Sequence, residues 1–270
     1  MLLVVDVGNT NTVIGVYSWD SLQVGSKGQS RTADFGLSHH FRIATVTERT
    51  VDEYALLLVQ LLGMRKLDHL EAIKAVALSS TVPQVTQTMR DVSSKWFGVT
   101  PVVVGPGVKS GISILYDNAK EVGADRICDA VAGLDLYSAP LVVVDYGTAT
   151  TFDVLSAKGE YLGGAICPGI EISLNALVSR AAALRNVELT PPRSVIGKST
   201  VESIQSGVLY GFAAQTDGMV ERIRDEVGED LHVIATGGLA PLVAPFSNTI
   251  KSIEPWLTLH GLRLVYERNS

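Results

Sequence analysis

Two segments of the chain combine an aspartate with a turn rich in glycine and threonine. The first loop is Asp6-Val7-Gly8-Asn9-Thr10-Asn11-Thr12, and the second, 139 positions later, is Asp145-Tyr146-Gly147-Thr148-Ala149-Thr150-Thr151. Glycine permits a tight reversal that brings backbone amides close to a ligand, and each threonine adds a hydroxyl donor. A carboxylate beside such a turn can hold a divalent metal, which neutralises phosphate charge. Two such loops facing each other would bind a nucleoside triphosphate.

Each loop also has a simpler interpretation, because an aspartate after a strand often only caps a turn. The recurrence of Asp6 and Asp145 in the same context favours phosphate or cation binding. A third turn, Gly237-Gly238, follows the apolar run Val233-Ile234-Ala235. It predicts either a tight strand-to-helix turn or bare backbone on which a purine packs.

A further aspartate, Asp125, lies in Gly123-Ala124-Asp125-Arg126 at the predicted start of a helix. Acidic residues are favoured in the first turn of a helix by its dipole. The alternative is a general base, with Arg126 beside it to hold an anionic substrate. An aspartate that accepts a hydroxyl proton during phosphoryl transfer has this role in many kinases. The spacing alone leaves both interpretations open.

The elements that position these residues follow from the apolar pattern. Leu2–Val5 and Leu141–Val144 are continuous apolar runs, typical of strands buried on both faces. Further strands are predicted at 13–17, 41–45, 74–78, 101–104, 141–155, 161–166 and 233–236. Helices are predicted at 51–62, 83–97 and 124–137, after 168–169 and from 200. The strand–turn–strand order occurs twice, which indicates a duplicated α/β unit.

Local signals refine these predictions. Thr50 and Glu53 form a capping box for the helix at 51–62, and Gly63 is expected to end it. Gly207, Gly211 and Gly218, inside the helix from 200, predict close packing against a neighbour. Ser138-Ala139-Pro140 is the best linker, so we predict domains at 1–138 and 139–270, each with one loop.

Composition excludes several classes of protein. Hydrophobic residues make up 46% of the chain and charged residues 19%, which argues against disorder, and the net charge of −6 gives no support for nucleic-acid binding. The two cysteines and five histidines lack metal spacing. Gly197-Lys198-Ser199 fails as a P-loop because Pro192 stands at the position of the required glycine, and Gly105-Pro106-Gly107 lacks the third glycine of a dinucleotide fingerprint. Without a long apolar segment, we expect a soluble, cytoplasmic protein without membrane contact.

Taken together, the motifs resemble those of type III pantothenate kinases, members of the acetate and sugar kinase/Hsp70/actin superfamily. The resemblance covers nearly the full length. It implies duplicated ribonuclease-H-like (actin-like ATPase) domains with a cleft between them. It rests on 6–12, 105–109, 121–126, 145–151, 161–166, 168–169, 197–200 and 236–238.

The resemblance also implies an activity, ATP-dependent phosphorylation of pantothenate to 4′-phosphopantothenate, the first step toward coenzyme A. It implies a homodimer, with Mg²⁺ and a monovalent cation, K⁺ or NH₄⁺, as cofactors. Asp125 is the implied catalytic base and Asp145 the monovalent-cation ligand, with Asp6 assigned to Mg²⁺. The implied ATP-binding residues are Asp6, Val7, Gly8, Asn9, Thr10, Asn11, Thr12, Val13 and Thr148. The implied substrate-binding residues are Tyr116, Gly123, Ala124, Asp125, Arg126 and Thr200.

This sequence departs from the family pattern in a longer connection, Ser18 to Leu37, and at Ala119, Tyr146 and Arg185. None of these changes removes a group that the chemistry needs. Two other functions stay open: a non-catalytic nucleotide-binding regulator of the same fold, and a different small-molecule kinase or a phosphatase of the superfamily. The full set Asp6, Asp125, Arg126 and Asp145 favours the enzyme, because a binding module need not retain it.

Overall fold

Two five-stranded sheets form the framework of the protein, which is described here from a computed structural model. The described residues are 1–19, 32–67, 70–180, 187–228 and 230–270, so most of the connection between Ser18 and Leu37, and Arg185, lie outside them. The chain divides into two units. The first unit comprises 1–112, 117–132 and 256–270, and the second comprises 113–116 and 133–255.

The sheet of the first unit has the order β3-β2-β1-β4-β5. Its strands are β1 (Leu2–Val7), β2 (Asn11–Tyr17), β3 (Leu37–Ala44), β4 (Ala75–Ser80) and β5 (Val102–Val103). β2 is antiparallel to both β1 and β3, whereas β4 is parallel to β1 and to β5. The helices are α1 (Val51–Met64), α2 (Pro83–Trp96), α3 (Ala124–Leu136, whose last turn belongs to the second unit) and α7 (Leu257–Glu267). Short 3-10 helices occupy Leu70–Ala72 and Ala119–Glu121.

The sheet of the second unit repeats this arrangement in the order β10-β9-β6-β7-β8. Its strands are β6 (Leu141–Tyr146), β7 (Ala149–Leu155), β8 (Tyr161–Pro168), β9 (His232–Thr236) and β10 (Ser252–Ile253), with the same parallel and antiparallel pairings. Its helices are α4 (Ile170–Arg180), α5 (Thr200–Val227), α6 (Ala240–Val243) and a 3-10 helix at Ala244–Phe246. The predicted duplication of an α/β unit is therefore confirmed.

The apolar runs form the central strands. In β1 and β6, Leu2–Val5 and Leu141–Val144 are essentially inaccessible to solvent, because each strand is paired on both edges and helices cover both faces of the sheet. The loops that follow these strands consequently project from a rigid base.

The predicted order of strand, turn and strand is confirmed at 141–155, where the turn lies at Gly147-Thr148. The predicted end of α1, by contrast, is wrong. α1 does not end at Gly63 but continues to Met64, because the left-handed residue that closes it is Lys66, with φ 59°. The predicted capping box is confirmed: the Thr50 hydroxyl accepts from the Glu53 amide, and the Glu53 carboxylate accepts from the Thr50 amide.

The glycines of α5 do not have the predicted role within the chain. A Cβ at Gly207 or Gly211 would meet no atom within 4 Å, and one at Gly218 would meet only the Arg222 side chain. The prediction of close packing is therefore wrong for the described part of the chain. Among the described residues, moreover, no helix combines the length and apolar character needed to cross a membrane.

α7 follows the second sheet in the sequence but packs against the first sheet. It packs on β1 and β4, and Leu259 lies beside Gly15 of β2. Residues 256–270 thus belong to the first unit by packing. The domains 1–138 and 139–270 remain a prediction about the duplicated segments, which is a different division.

Candidate active site

Asp6 lies near the end of β1, beside Ser79 of the parallel strand β4. Burial raises the pKa of Asp6 to about 7, and the negative charge of Asp125 adds to this effect, whereas the Ser79 hydroxyl opposes it. Two residues that are 119 positions apart in the chain are thus brought close enough for their charges to interact. A pair of carboxylates in a partly buried place favours a cation between or beside them.

Asp125 is in the first turn of α3, half-buried, and its carboxylate folds back on the backbone. Its Oδ1 accepts a hydrogen bond from the Arg126 amide at 2.8 Å. A Cβ on Gly123 would lie 2.4 Å from this same oxygen. Gly123 is therefore required to leave room for the carboxylate, and the two constraints fix the orientation of Asp125.

The first loop closes through a hydrogen bond from the Gly8 amide to the Asn11 carbonyl, at 3.0 Å. Asn9, Thr10 and Asn11 are exposed at its tip. Thr12, by contrast, is fully buried, and its hydroxyl lies 2.9 Å from that of Thr45. The surface of this loop consists of the turn residues and their backbone rather than the Thr12 side chain.

The second loop is one residue shorter. Its closing hydrogen bond runs from the Gly147 amide to the Ala149 carbonyl, at 3.0 Å, and Thr148 is exposed at its tip. In the strand register Val7 faces Thr12, whereas Tyr146 faces Thr150. The structural counterpart of Thr12 is therefore Thr150, although equal spacing from the aspartates would select Thr151.

Asp145 lies in β6, between Thr151 of β7 and Thr236 of β9 in the strand register. A Cβ on Gly237 would lie only 2.3 Å from Asp145 Oδ1, and Gly237 has φ 91°, in the left-handed region. Gly237 is thus required both by its backbone and by the carboxylate next to it. The turn is tight, as one of the two interpretations predicted, and it shapes the surroundings of Asp145.

Two more predicted site residues belong to the second unit. Tyr116 follows a short segment that is paired with β8: the Leu115 amide donates to Tyr161 O, and the Tyr161 amide donates to Ser113 O, both at 2.8 Å. The Tyr116 and Tyr161 rings lie 6.4 Å apart. Thr200 is the first residue of α5, after the N-cap Ser199, whose hydroxyl accepts from the Glu202 amide.

The predicted residues accordingly form two groups. Asp6 to Val13 and Gly123 to Arg126 lie in the first unit, and Tyr116, Asp145, Thr148 and Thr200 lie in the second. Sequence reasoning missed Thr45, which contacts the first loop, because nothing in its surroundings along the chain resembles a motif.

The residues present fit metal binding of a particular kind. No cluster of three or more histidine, cysteine, aspartate or glutamate side chains suited to a metal occurs among the described residues. Mg²⁺ is commonly held by one or two carboxylates together with substrate phosphates and water. The neighbouring carboxylates of Asp6 and Asp125 match that arrangement, in which the nucleotide supplies further ligands.

The raised pKa of Asp6 leads to a prediction about stability. Because that pKa rises from 3.8 to about 7 on folding, the folded protein holds more protons than the unfolded chain between these values. The free energy of unfolding contributed by Asp6 therefore falls as the pH rises through this window. We therefore compare the free energy of unfolding of Asp6→Asn with that of the unmodified protein, in urea without divalent metal. The difference in favour of Asp6→Asn is expected to increase by on the order of 2 kcal/mol between pH 5 and pH 8.

The exposed Asp91→Asn serves as the control for this measurement and is expected to follow the unmodified protein at both pH values. An Asp6→Asn variant whose stability relative to the unmodified protein is the same at pH 5 and pH 8 would contradict the assignment.

Solved structures with the same architecture identify the fold. A conserved protein from Campylobacter jejuni, assigned to the Baf family of transcriptional activators, has a TM-score of 0.60 and 17% identity, covering 99% of this chain and 98% of that one. The activator of 2-hydroxyisocaproyl-CoA dehydratase from Clostridium difficile, with bound ADPNP, has a TM-score of 0.54 and 13% identity, covering 99% and 95%. These identities show the fold alone, which is a pair of duplicated ribonuclease-H-like domains.

Sequence similarity identifies the family within this class. The family model described as type III pantothenate kinase matches residues 2–222. A type III pantothenate kinase from Streptomyces griseus is 52% identical over 276 aligned positions, covering all of this chain and 98% of that protein. The chain therefore belongs to the type III pantothenate kinase family.

Proposed function

We propose that the chain catalyses the ATP-dependent phosphorylation of pantothenate to 4′-phosphopantothenate, the first step of coenzyme A biosynthesis. The observation that carries this proposal is the arrangement of Asp125 within a chain of this family. Its carboxylate is held by the Arg126 amide over Gly123, in the first turn of α3. A fixed carboxylate is what a hydroxyl substrate needs as its proton acceptor.

In the proposed reaction, Asp125 accepts the proton of the primary hydroxyl of pantothenate. The hydroxyl oxygen forms a bond to the γ-phosphorus of ATP, and the bond from that phosphorus to the bridging oxygen breaks, which releases ADP. Arg126 holds the negatively charged substrate beside the base. Catalysis of this kind depends mainly on positioning and on neutralisation of charge.

The predicted binding residues keep their roles in this proposal. The nucleotide is assigned to Asp6–Val13 and to Thr148, whose exposed turns offer backbone amides and a hydroxyl. Within the first loop, the buried Thr12 contributes through its backbone. Pantothenate is assigned to Tyr116, Gly123, Ala124, Arg126 and Thr200.

The proposed reaction uses two cations, each bound by an aspartate. Asp6 would hold Mg²⁺, which supplies positive charge next to the transferred phosphate. Asp145 would hold a monovalent cation, K⁺ or NH₄⁺, and Gly237 leaves the space in which its carboxylate lies. Both proposed substrates, ATP and pantothenate, are small soluble molecules. We therefore propose that the protein works in the cytoplasm and that neither nucleic acid nor a membrane is its partner.

The active form is proposed to be a homodimer. The exposed side of α5 supports this, because Gly207 and Gly211 lie one turn apart with open space before them. Val201 on the same helix is 49% exposed, and Ile166 of the edge strand β8 is 65% exposed. Such apolar exposure is typical of a surface that another protein covers. Sedimentation velocity should give twice the mass of the chain, and a monomer at assay concentration would refute the dimer.

The proposed reaction is tested by ADP release coupled to NADH oxidation, with Mg²⁺-ATP and pantothenate. We expect turnover that depends on pantothenate and falls strongly when K⁺ is replaced by Na⁺. Omission of pantothenate is the control for simple ATP hydrolysis. ATP binding without turnover in a folded protein would indicate the regulatory alternative, and turnover that is equal in Na⁺ would remove the cation from the proposal.

A further inference from the structure

Thr45 contacts the first loop at three points, directly after β3. Its amide donates to the Thr10 carbonyl at 2.9 Å. Its hydroxyl donates to the Gly8 carbonyl at 2.7 Å, and its Oγ1 is 2.9 Å from Thr12 Oγ1. One residue outside the loop therefore connects the beginning, the middle and the end of the turn.

The direction of the bond between the two hydroxyls follows from the number of protons. A threonine hydroxyl has one proton to donate. The Thr45 proton is directed to the Gly8 carbonyl, so Thr12 must donate its proton to Thr45. The Thr12 hydroxyl therefore donates to Thr45 and not to a ligand. The part of the loop that a ligand can reach consists of the exposed residues 9–11.

The second loop has no threonine side chain at the position that corresponds to Thr45. Asn11 pairs with Ala44 and Ala149 pairs with Pro168, so the residue that corresponds to Thr45 is Gly169. A Cβ at Gly169 would lie 2.2 Å from the Thr148 carbonyl oxygen, and no side chain fits there. Thr150, the counterpart of Thr12, is buried, and its hydroxyl has no hydrogen-bond partner among the described residues. The two duplicated loops are thus held in different ways.

We propose that Thr45 is a positioning residue for nucleotide binding, which holds the first loop in its binding shape before the nucleotide arrives. This inference rests on the proposed assignment of that loop to ATP. A loop that is ordered in advance loses less conformational freedom on binding, which strengthens affinity. Removal of the Thr45 hydroxyl leaves the Thr12 proton and the Gly8 carbonyl without their partner, and the turn becomes free to change shape.

The test compares Thr45→Val, which keeps the shape but removes the hydroxyl, with Thr45→Ser, which keeps the hydroxyl. We expect Thr45→Val to raise both the KM and the calorimetric Kd for ATP about tenfold, while the KM for pantothenate stays within twofold. Thr45→Ser should restore ATP affinity to near that of the unmodified protein. Amide hydrogen exchange at residues 8–12, measured without nucleotide, should be faster in Thr45→Val.

The control is Thr86→Val, because the Thr86 hydroxyl also donates to a backbone carbonyl, that of Val82 at 3.0 Å, but in α2. It should leave the KM for ATP unchanged. If Thr45→Val does not fold, Thr45→Ala removes the same hydroxyl. Unchanged ATP affinity after loss of the hydroxyl, or an equal loss in Thr45→Ser, would overturn the proposal. An unmodified protein without ATP-dependent turnover overturns the proposed function instead, before any variant is compared.

Discussion

Asp125→Asn is expected to lower kcat by about 10²- to 10⁴-fold, the usual contribution of a positioned general base. The asparagine side chain has nearly the same shape, and its amide oxygen can still accept from the Arg126 amide, as Asp125 Oδ1 does at 2.8 Å. It cannot take the hydroxyl proton of the substrate. The measurement is kcat and KM for pantothenate at saturating ATP.

The Asp125→Asn comparison needs a folded protein that still binds nucleotide. Thermal unfolding and the Kd for ATP should therefore be close to those of the unmodified protein. Asp91→Asn, on the exposed side of α2, is the matched control and should retain full turnover. Undiminished kcat in Asp125→Asn would exclude Asp125 as the base.

Gly261→Ala is expected to cause a large loss of stability. Gly261 is buried in α7, and a Cβ there would lie 1.9 Å from the carbonyl oxygen of Cys128 and 2.5 Å from its carbonyl carbon. Both atoms are backbone of α3 and cannot rotate away, so the two helices must separate. Overpacking commonly costs about 1–3 kcal/mol, and more where backbone must move. Urea unfolding at pH 7 measures the loss.

Gly63→Ala is the control for this substitution. Gly63 lies in α1, where a Cβ would meet nothing within 4 Å. Since alanine is favoured over glycine in a helix, this variant should gain up to about 1 kcal/mol. The same chemical change is thus expected to have opposite signs at the two sites. Equal effects would show that contact with Cys128 does not limit the approach of α7.

The features that were predictable from the sequence are the local ones. The capping box of Thr50 and Glu53 depends on residues three positions apart, and it is confirmed. The apolar runs before Asp6 and Asp145 identified the central strands because burial on both faces needs continuous apolar residues. The duplication was also visible, since both loops occur in the same context.

Features that depend on distant contacts were not predictable. Gly63 was expected to end α1, and Gly207 to pack closely, but a glycine in a helix has the same local signal whether its surroundings are open or crowded. At Gly261, by contrast, an added Cβ would lie 1.9 Å from a backbone oxygen of another helix, and its own helix α7 was not predicted at all. Only the path of α3 across α7 distinguishes the two situations.

In the candidate active site, too, the contacts between residues that are distant in the sequence were not predictable. Asp6 and Asp125 were each recognised from neighbouring residues, but the electrostatic effect of Asp125 on Asp6 exists only in the folded protein, which brings α3 close to β1. The correspondence of Thr12 with Thr150 was hidden because one loop has an extra residue, which shifts equal spacing by one position. Thr45 acts across a strand pair, and the sequence carries no mark of that.

Residues 256–270 pack in the first unit, and this affects how the chain folds while the ribosome synthesises it. A ribosome produces the first sheet early, but α7, which packs on β1 and β4, is made only after residues 133–255. While residues 133–255 are synthesised, the surface that α7 will cover stays exposed to the cell. Because newly exposed apolar surface favours aggregation, the nascent chain is most vulnerable in this interval, and the amino-terminal unit cannot be completed before α7 has been synthesised.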